Sequence, residues 1–434
     1  MLNVMKKMNG AVCSCGKIHK FDADIYAGKG AICHLSDAIE KYGSRKIYVV
    51  CDVNTAAVGL KQVEGILDKT ALPYSTFIYP ESPKPDEHGV GAAVMNCPAD
   101  CDTVIAIGSG VINDICKVLA AIGGKTYFIV ATAPSMDGYA STTSSVCRSG
   151  LKISLSTKSA EVIIGDTDIL ATAPRKMMIS GLGDMLAKYV SICEWRISNL
   201  INGEYYCEPI ASLIRSALKK CIEVSENLDG EEATEALFEG LIVGSVAMNY
   251  AGISRPASGV EHYISHVIDM RAEEFGTPED FHGIQCAMGT YLAVKLYEKV
   301  KLHTPNRESA LAYAKNFDIA DWNGRLRTLL GKGAESMIKL EEKEKKYDVE
   351  RHSKRLSVII DKWDEILAVI NEELPTLAEL DALYEKLGLP KTLSDIGTDD
   401  ALFGEVFRAT KDIRDKYVLS RLVFDLGIID DILK

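Results

Sequence analysis

Three histidines lie close together in the second half of the chain, and grouped imidazoles can bind a metal ion or transfer protons. His262 and His266 are four residues apart and His282 follows, so three of the 8 histidines fall within 21 residues. If the segment is helical, His262 and His266 lie on one face, one turn apart. Each histidine alone is explained well enough as a core or surface residue, so it is the grouping that indicates a site.

A carboxylate that could complete such a site stands earlier in the chain. Asp184 lies in the segment GLGDMLAK, at the apolar start of a predicted helix. One carboxylate with two imidazoles gives three protein ligands and leaves positions open, as in catalytic metal sites. His262 and His282 are the natural partners of Asp184, and Asp269 could orient the imidazole of His266.

A glycine-containing turn could bind a phosphate group. The segment IGSGVIND at 107–114 joins a predicted strand to a predicted helix, whose first N–H groups suit an anion. It is not a Walker loop, and Asn113 stands where a dinucleotide fingerprint has its third glycine. A tight connection without any ligand is the alternative.

Two further groups of polar residues follow predicted strands. Asp52 ends the first strand of the alternating region, where a carboxylate can bind ribose hydroxyls or cap the next helix. Ser135, Asp137 and Ser141 follow the fourth strand, at the edge where open α/β sheets bind ligands. A plain loop would explain the proline and glycine there, but not the clustered polar residues.

Cys13, Cys15 and His19 form a third group whose chemistry is ambiguous. They could bind a metal or act in redox chemistry, but C-x-C without a second cysteine pair matches neither zinc-site nor thioredoxin spacing. A loop cluster is the simpler interpretation. The 12 cysteines are scattered through a long chain, which favours reduced thiols in a cytoplasm.

The elements that must position these groups change character along the chain. Four predicted strands alternate with helices, so we expect a parallel sheet. The strands are predicted at 46–51, 74–79, 103–107 and 127–131, and two shorter ones, predicted to form a hairpin, at 151–155 and 161–164. Beyond residue 174 long amphipathic helices dominate, beginning with one predicted at 175–198. We therefore expect two domains, an α/β Rossmann-like domain at 1–170 and an all-α domain at 171–434.

The overall composition excludes several classes of protein. The chain has 434 residues, a net charge of -12 and a pI of about 5.3, which disfavours a general nucleic-acid or anionic-membrane binder. It has no long apolar run and no apolar segment after the N-terminal lysines, so neither membrane insertion nor a signal peptide is expected.

These motifs resemble the iron-dependent alcohol dehydrogenase and dehydroquinate synthase-like superfamily, most closely its sn-glycerol-1-phosphate dehydrogenase branch. The resemblance covers about residues 20 to 300, and its strength lies in the order and combination of the motifs. They are GSGVIND at 108–114, ATAPSMDGYAS at 131–141, GLGDMLAK at 181–188, SRPASGVEHYISH at 254–266 and FHG at 281–283.

The resemblance implies an active site in a cleft between the two domains and a role for each motif. It implies that Asp184, His262 and His282 bind one divalent metal, zinc or nickel and conceivably iron. It implies that Asp137, Asp184 and His266 contact the substrate as catalytic residues. It assigns NAD or NADP to a larger set of residues: Asp52, Gly110, Val111, Ile112, Asn113, Asp114, Thr132, Ala133, Pro134, Ser135 and Ser141.

The reaction implied is the interconversion of dihydroxyacetone phosphate and sn-glycerol 1-phosphate, for phospholipid biosynthesis. The metal would polarise the substrate oxygen, a hydride would pass to or from the nicotinamide, and His266 could relay the proton. On chemistry alone, Lys188 and Arg255 are candidates to bind the substrate phosphate. A cytoplasmic homodimer is the expected assembly.

Three other functions are consistent with parts of the sequence. A glycerol or polyol dehydrogenase of the same superfamily would need no phosphate pocket. A dehydroquinate synthase-like lyase would carry a glutamate where Asp184 stands, which counts against it. A non-catalytic metabolite- or metal-binding protein would not need the complete set of ligand, cofactor and substrate residues.

Overall fold

A computed structural model describes residues 1–148 and 151–434. The chain forms two compact units, the first comprising Met1–Met185 with Ser212–Ile253 and the second Leu186–Ala211 with Ser254–Lys434. The sequence predicts a single boundary after residue 170. The observed division differs because the chain leaves the first unit and then returns to it.

The first unit is built on a parallel sheet, with a small antiparallel pair beside it. Six strands pair in the order β1-β8-β5-β4-β2-β3, and β6 pairs with β7. The strands are β1 (Asp24–Gly28), β2 (Ile47–Asp52), β3 (Tyr74–Tyr79), β4 (Thr103–Gly108), β5 (Thr126–Ala131), β6 (Thr143–Arg148), β7 (Leu151–Ser156) and β8 (Val162–Asp166).

The parallel sheet confirms the predicted α/β fold. Every residue of β2, β4 and β8 is buried, as expected for strands that are covered on both faces. The predicted hairpin between 151–155 and 161–164 is wrong. β7 pairs instead with the polar strand β6. β8 lies in the main sheet between β1 and β5, where all its residues are buried.

The structure contains 22 α-helices among the described residues, and the longest are α11 and α13. The first eleven are α1 (Leu2–Met8), α2 (His34–Lys41), α3 (Val53–Thr55), α4 (Lys61–Thr70), α5 (Glu87–Asn96), α6 (Gly110–Gly123), α7 (Thr167–Leu170), α8 (Arg175–Leu186), α9 (Lys188–Asn202), α10 (Glu208–Val224) and α11 (Glu231–Ala251). The next eleven are α12 (Val260–Phe275), α13 (His282–Lys301), α14 (Arg307–Lys315), α15 (Ile319–Leu330), α16 (Ala334–Glu344), α17 (Val349–Asp361), α18 (Trp363–Glu373), α19 (Leu377–Leu387), α20 (Phe403–Ile413), α21 (Leu419–Asp425) and α22 (Ile429–Ile432).

Helix α11 explains why 212–253 belongs with the sheet. The Phe238 ring occupies the space that a side chain at Gly165 of β8 would need, and it packs 5.8 Å from the Tyr139 ring. The long helix predicted at 175–198 is in fact two helices, α8 and α9, which meet at Ala187.

The second unit consists of helices. Its core includes buried side chains from the first helix of the unit, α9, and from the last, α22. Among the described residues, no helix is both long enough and apolar enough to cross a bilayer.

Candidate functional site

In the second unit, the start of α12 is held by buried charged residues. The Glu194 carboxylate accepts the Val260 N–H at 2.9 Å and the Leu419 N–H at 2.7 Å. Burial, followed by the nearby charge of Glu261, raises the pKa of Glu194 to about 8. Glu194 therefore carries a proton near neutral pH, which allows two buried carboxyl groups to lie near one helix terminus.

The first turn of α12 orients the imidazole of His262. The Glu261 carboxylate is fully buried; it accepts the Gly259 N–H at 2.6 Å and lies 2.7 Å from His262 Nδ1. Because an ionised carboxylate can only accept, Nδ1 carries the proton and Nε2 keeps its lone pair. This carboxylate–imidazole pair is the arrangement that prepares a histidine to bind a metal through Nε2.

The histidine at the start of α13 is held by a polar network. His282 Nδ1 lies 3.3 Å from Ser265 Oγ, and Gln285 Nε2 donates to that oxygen at 3.0 Å. Gln285 also donates to Asp269 at 2.7 Å. The His262 and His282 ring centroids are 5.1 Å apart. The two histidines expected from the sequence to be metal ligands are therefore neighbours.

A cysteine joins these two histidines. Cys286 is one turn after His282 in α13, and its Sγ lies 3.5 Å from His282 Nε2. Donor atoms of His262, His282 and Cys286 all lie within 4.8 Å of one another. Although burial opposes the effect, the two imidazoles lower the pKa of the Cys286 thiol. Two imidazoles and a thiolate fit a borderline-soft divalent ion such as Zn²⁺.

Close packing of α12 on α13 brings these donors together. A Cβ atom at Gly289 of α13 would lie 2.6 Å from the Glu261 carbonyl oxygen, one residue before His262. Only glycine lets the two helices approach so closely at this point.

His266 lies beside this group but is not one of its donors. Its ring is stacked 6.1 Å from that of His282, and its Nδ1 is 4.0 Å from Asp269. Burial lowers the pKa of His266 to about 3, although Asp269 opposes the shift. The side chain is still 22% exposed. His266 is thus a neutral imidazole that a ligand can reach.

In the first unit, Asp184 and Asp137 are linked directly. Asp184 is fully buried in α8, and its carboxylate accepts the Asp137 N–H at 2.8 Å. Ser245 Oγ donates to the Asp137 carbonyl oxygen. Helix α8 contacts the loop after β5, because Gly181 lies directly against the Pro134 carbonyl oxygen. These contacts hold the loop after β5 in a fixed position against α8.

The glycine turn forms the N-terminus of α6, but its residues differ in exposure. Ser109 is the N-cap residue, Gly110 is half-buried and Val111 is 37% exposed. Ile112 and Asn113 are buried. Asn113 accepts the Tyr127 hydroxyl at 2.9 Å and donates to the Gly138 carbonyl at 3.2 Å.

Asp114 serves the neighbouring loop. Its carboxylate is 3.0 Å from the buried Lys117 ammonium, and burial raises its pKa despite that cation. Lys117 also donates to the Thr143 and Gly138 carbonyls at 2.6 and 3.3 Å. No sequence motif indicates a role for Lys117, which thus fixes the loop that contains Ser141.

Asp52 shows the helix-cap alternative. Its Oδ1 accepts the Asn54 and Thr55 N–H groups at 2.9 and 2.8 Å in a capping box, and its Oδ2 accepts Ser82 Oγ at 3.2 Å. Asp52 ends β2 beside the end of β4. After β2 the chain turns outward to β3, whereas after β4 it turns the other way to β5. Asp52 and the glycine turn therefore flank a topological switch point.

The loop after β5 lies at the same edge of the sheet. The Thr132 N–H donates to the Gly108 carbonyl at 3.1 Å, and the Tyr139 hydroxyl donates to the Ala133 carbonyl at 2.6 Å. Thr132 and Ser135 are buried, and Ser141 Oγ accepts the Thr143 N–H at 3.1 Å. The loop thus has a fixed shape beside the glycine turn.

The two predicted phosphate ligands are buried and already engaged. Every guanidinium nitrogen of Arg255 donates to Glu204, Ser198 or the Tyr417 carbonyl, and only 1% of the residue is exposed. Lys188 is equally buried and donates to the Ala257 carbonyl at 3.2 Å. Arg255 and Lys188 therefore hold the loop before α12, and the structure does not support the prediction that they bind phosphate.

Two cations near the C-terminus are better situated. Lys416 Nζ donates to the Ser258 carbonyl at 2.9 Å and lies 5.8 Å from the Tyr263 ring centroid. Arg414 is close enough for its charge to lower the pKa values of Tyr263 and His266, although burial dominates both. Both cations are thus near the first turns of α12.

Several of these residues gave no clear signal in the sequence. The spacing His282-x3-Cys286 is a helical i, i+4 pair and could have been noticed, as could the carboxylate directly before His262. The sequence does not indicate Lys416 and Arg414, because they lie more than 130 residues beyond His282 in a segment without a motif.

Comparisons with known proteins agree with the resemblance. A family model described as iron-containing alcohol dehydrogenase matches residues 26–174. A protein of Halalkalibacterium halodurans is 27% identical over 415 residues, covering 94% of each chain. One of Bacillus subtilis is 31% identical over 316 residues, covering 69% of this chain and 80% of its own. Both are named glycerol-1-phosphate dehydrogenase (NAD(P)+).

Solved structures show the same fold at lower identity. Glycerol dehydrogenase from Schizosaccharomyces pombe superposes with a TM-score of 0.62 at 16% identity, covering 96% of this chain and 91% of its own. An iron-containing alcohol dehydrogenase from Thermococcus thioreducens gives 0.62 at 13%, covering 96% and 99%.

Proposed function

Because the chain belongs to the glycerol-1-phosphate dehydrogenase branch of the iron-containing alcohol dehydrogenase superfamily, we propose that it interconverts dihydroxyacetone phosphate and sn-glycerol 1-phosphate. The reaction is an NAD(P)-linked, metal-dependent oxidation or reduction at a secondary carbon. The observation that carries the proposal is the group of His262, His282 and Cys286, two imidazoles and a thiol with donor atoms within 4.8 Å of one another.

We propose that His262 and His282 bind a divalent metal together with Asp184. Support comes from the Nε2 lone pair that Glu261 preserves on His262 and from the complete burial of the Asp184 carboxylate. Cys286 is proposed as a further donor, which favours zinc over nickel or iron. Lewis acidity toward the substrate oxygen is the chemistry that such an ion supplies when bound.

The nicotinamide cofactor is proposed to bind at the sheet edge of the first unit. Its pyrophosphate would lie at the N-terminus of α6, against Gly110 and Val111, and its ribose near Asp52. Ile112, Asn113 and Asp114 support this turn from within. Thr132, Ala133, Pro134, Ser135 and Ser141 are proposed to border the nicotinamide side.

The residues proposed to contact the substrate are Asp137, Asp184 and His266. Asp137 and Asp184 are proposed to orient its hydroxyl groups. His266, whose side chain is 22% exposed, is proposed to exchange a proton with the reacting hydroxyl. Arg414 and Lys416 are proposed to bind the substrate phosphate, since each is a cation near α12.

The experiment that tests the function is an NADH- and NADPH-oxidation assay with dihydroxyacetone phosphate, after removal of bound metal and readdition of zinc, nickel or iron. Activity should vanish on chelation and return with zinc, and chiral analysis should identify sn-glycerol 1-phosphate. Equal turnover of unphosphorylated dihydroxyacetone would instead indicate a polyol dehydrogenase. Turnover without net NADH consumption would indicate a lyase.

The setting of the reaction is part of the same proposal. The product would serve phospholipid biosynthesis in the cytoplasm, and the enzyme would be a homodimer. Light scattering after size-exclusion chromatography tests the dimer directly.

A further inference from the structure

We propose that Cys13, Cys15 and His19 bind a second zinc ion, at a structural centre unrelated to the catalytic residues. All three belong to the first unit, and their donor atoms lie within 4.8 Å of one another. The sequence spacing alone favours a loop cluster. The structure adds three observations that a loop cluster does not require.

The first observation is the shape of the backbone. Val12 and Ile18 form an antiparallel bridge, and the Cys13 N–H donates to the Lys17 carbonyl at 2.9 Å. Between them Gly16 has a φ of 83°, a left-handed conformation that suits glycine. This tight hairpin brings residues 13 and 15 to the same end as His19.

The second observation is the protonation state of His19. The imidazole is 2% exposed, and its Nδ1 lies 2.8 Å from the Tyr250 carbonyl oxygen. A carbonyl oxygen can only accept, so Nδ1 carries the proton and Nε2 presents a lone pair. Nε2 is the atom that lies toward Cys15. A backbone carbonyl on the far ring nitrogen is the usual support of a zinc-binding histidine.

The third observation is the distance between donors. Cys15 Sγ lies 3.5 Å from His19 Nε2. Tetrahedral zinc with bonds of roughly 2.3 Å to sulfur and 2.0 Å to nitrogen holds those two atoms about 3.5 Å apart. The pair therefore already has the separation of two ligands of one ion. A tetrahedral ion has room for one further donor beside these three.

The centre would anchor the N-terminal segment. The carbonyl oxygen that accepts from His19 belongs to Tyr250, in the last turn of α11. The Tyr250 hydroxyl donates to the Met5 carbonyl of α1 at 3.0 Å. Asn9 and Phe21 close the same segment through two hydrogen bonds. Binding would displace two thiol protons and join residues 1–21 to α11.

The test is the zinc content of the full-length protein, measured by native mass spectrometry and by elemental analysis. Wild type should carry about two zinc ions per chain, and Cys13→Ser/Cys15→Ser should carry about one. His262→Ala should lose the other ion. Cys33→Ser, which removes an exposed cysteine of the same unit, should keep both ions.

Cobalt substitution gives a second readout if a variant folds poorly. Two thiolates at this centre should give near-ultraviolet sulfur-to-cobalt absorption that persists in His262→Ala, whereas Cys13→Ser/Cys15→Ser should retain only the contribution of Cys286. His19→Cys, which preserves a zinc-binding side chain, should retain the ion. An unchanged zinc content in the double variant, or a Cys13–Cys15 disulfide in the protein as isolated, would overturn the proposal.

Discussion

At the scale of single residues, the chemistry depends on carboxylates and carbonyls that fix which imidazole nitrogen is protonated. Glu261 does this for His262, and the two are neighbours in sequence. Neighbouring residues of a helix normally point about 100° apart. Here both lie in the first turn of α12, where Gly259 leaves space for the two buried carboxyl groups. Spacing alone would make His262 and His266 equivalent, but their surroundings differ.

Cys286→Ser should weaken zinc binding at the group of His262, His282 and Cys286. In the cobalt protein it should also remove the sulfur-to-cobalt absorption of this group. The reason is that Sγ lies 3.5 Å from His282 Nε2, a ligand-like separation. The measurement is the near-ultraviolet spectrum of the cobalt protein in the Cys13→Ser/Cys15→Ser background. Cys116→Ser, another fully buried cysteine, is the control. Bound cobalt without that absorption before the Cys286 change would exclude Cys286 as a ligand.

Lys416 should make substrate affinity pH-dependent. Burial, with the charges of Arg255 and Arg414, lowers the pKa of Lys416 to about 7, although Glu261 opposes the shift. The ammonium form is therefore lost as pH rises through 7, and the KM for dihydroxyacetone phosphate should rise with it. Lys416→Met should raise that KM by about 10- to 100-fold and remove the dependence.

The controls for this prediction are the unphosphorylated substrate and a surface lysine. The KM for dihydroxyacetone should change little in Lys416→Met. Lys354→Met, which removes an exposed lysine paired with Glu350, should behave as wild type. An unaltered pH profile for Lys416→Met would assign the phosphate to other residues.

At the scale of elements, packing decides what sequence periodicity leaves open. The alternation of strands and helices predicted the parallel sheet, because buried strands read as continuous apolar runs. β1 and β6 were missed, since an edge strand and a polar strand lack that pattern. β8 was assigned to a hairpin because strand order is not encoded locally. Likewise, the packing of α12 on α13 brings Cys286 close to His262, whose imidazole Glu261 orients.

Gly289→Ala should weaken metal binding by His262, His282 and Cys286, because it disturbs the packing of α12 on α13. The added methyl would lie 2.6 Å from the Glu261 carbonyl oxygen and must separate α12 from α13. We expect a loss of about 1–3 kcal/mol in unfolding free energy and weaker zinc binding. Urea denaturation and metal competition measure the two effects. Gly324→Ala is the matched control, because nothing lies within 4 Å of its added methyl, and it should be neutral or slightly stabilising.

At the scale of the whole molecule, the residues proposed to bind the cofactor and the three histidines proposed for metal and substrate belong to different units. The sheet edge of the first unit contains the predicted cofactor residues, and the second unit contains His262, His266 and His282. The sequence predicted this division of roles but not that 212–253 returns to the first unit, since an amphipathic helix does not specify its partner. If Arg414 and Lys416 bind the substrate phosphate as proposed, the C-terminal third contributes to function as well as to the core.

Ligands should therefore protect different parts of the chain from hydrogen exchange. NADH should slow exchange at the end of β2 and the start of α6, whereas zinc should slow it at the starts of α12 and α13. Each ligand at about 100 times its Kd should add roughly 2.7 kcal/mol to stability. Exchange mass spectrometry with and without each ligand is the measurement. Zinc protection confined to residues 10–21 would mean that only the N-terminal centre is occupied.

The adjacency of Glu261 and His262 also matters for how such a site can be inherited or transplanted. A metal-binding side chain and the group that sets its tautomer usually come from distant parts of a fold and must be matched separately. Here the proposed ligand His262 and its orienting carboxylate Glu261 are encoded by consecutive codons, close to the glycine that leaves space for the carboxylate. A grafted Gly259–His262 segment would carry its own orienting carboxylate into the first turn of a recipient helix. The recipient would have to supply only a protonated acid in the place of Glu194.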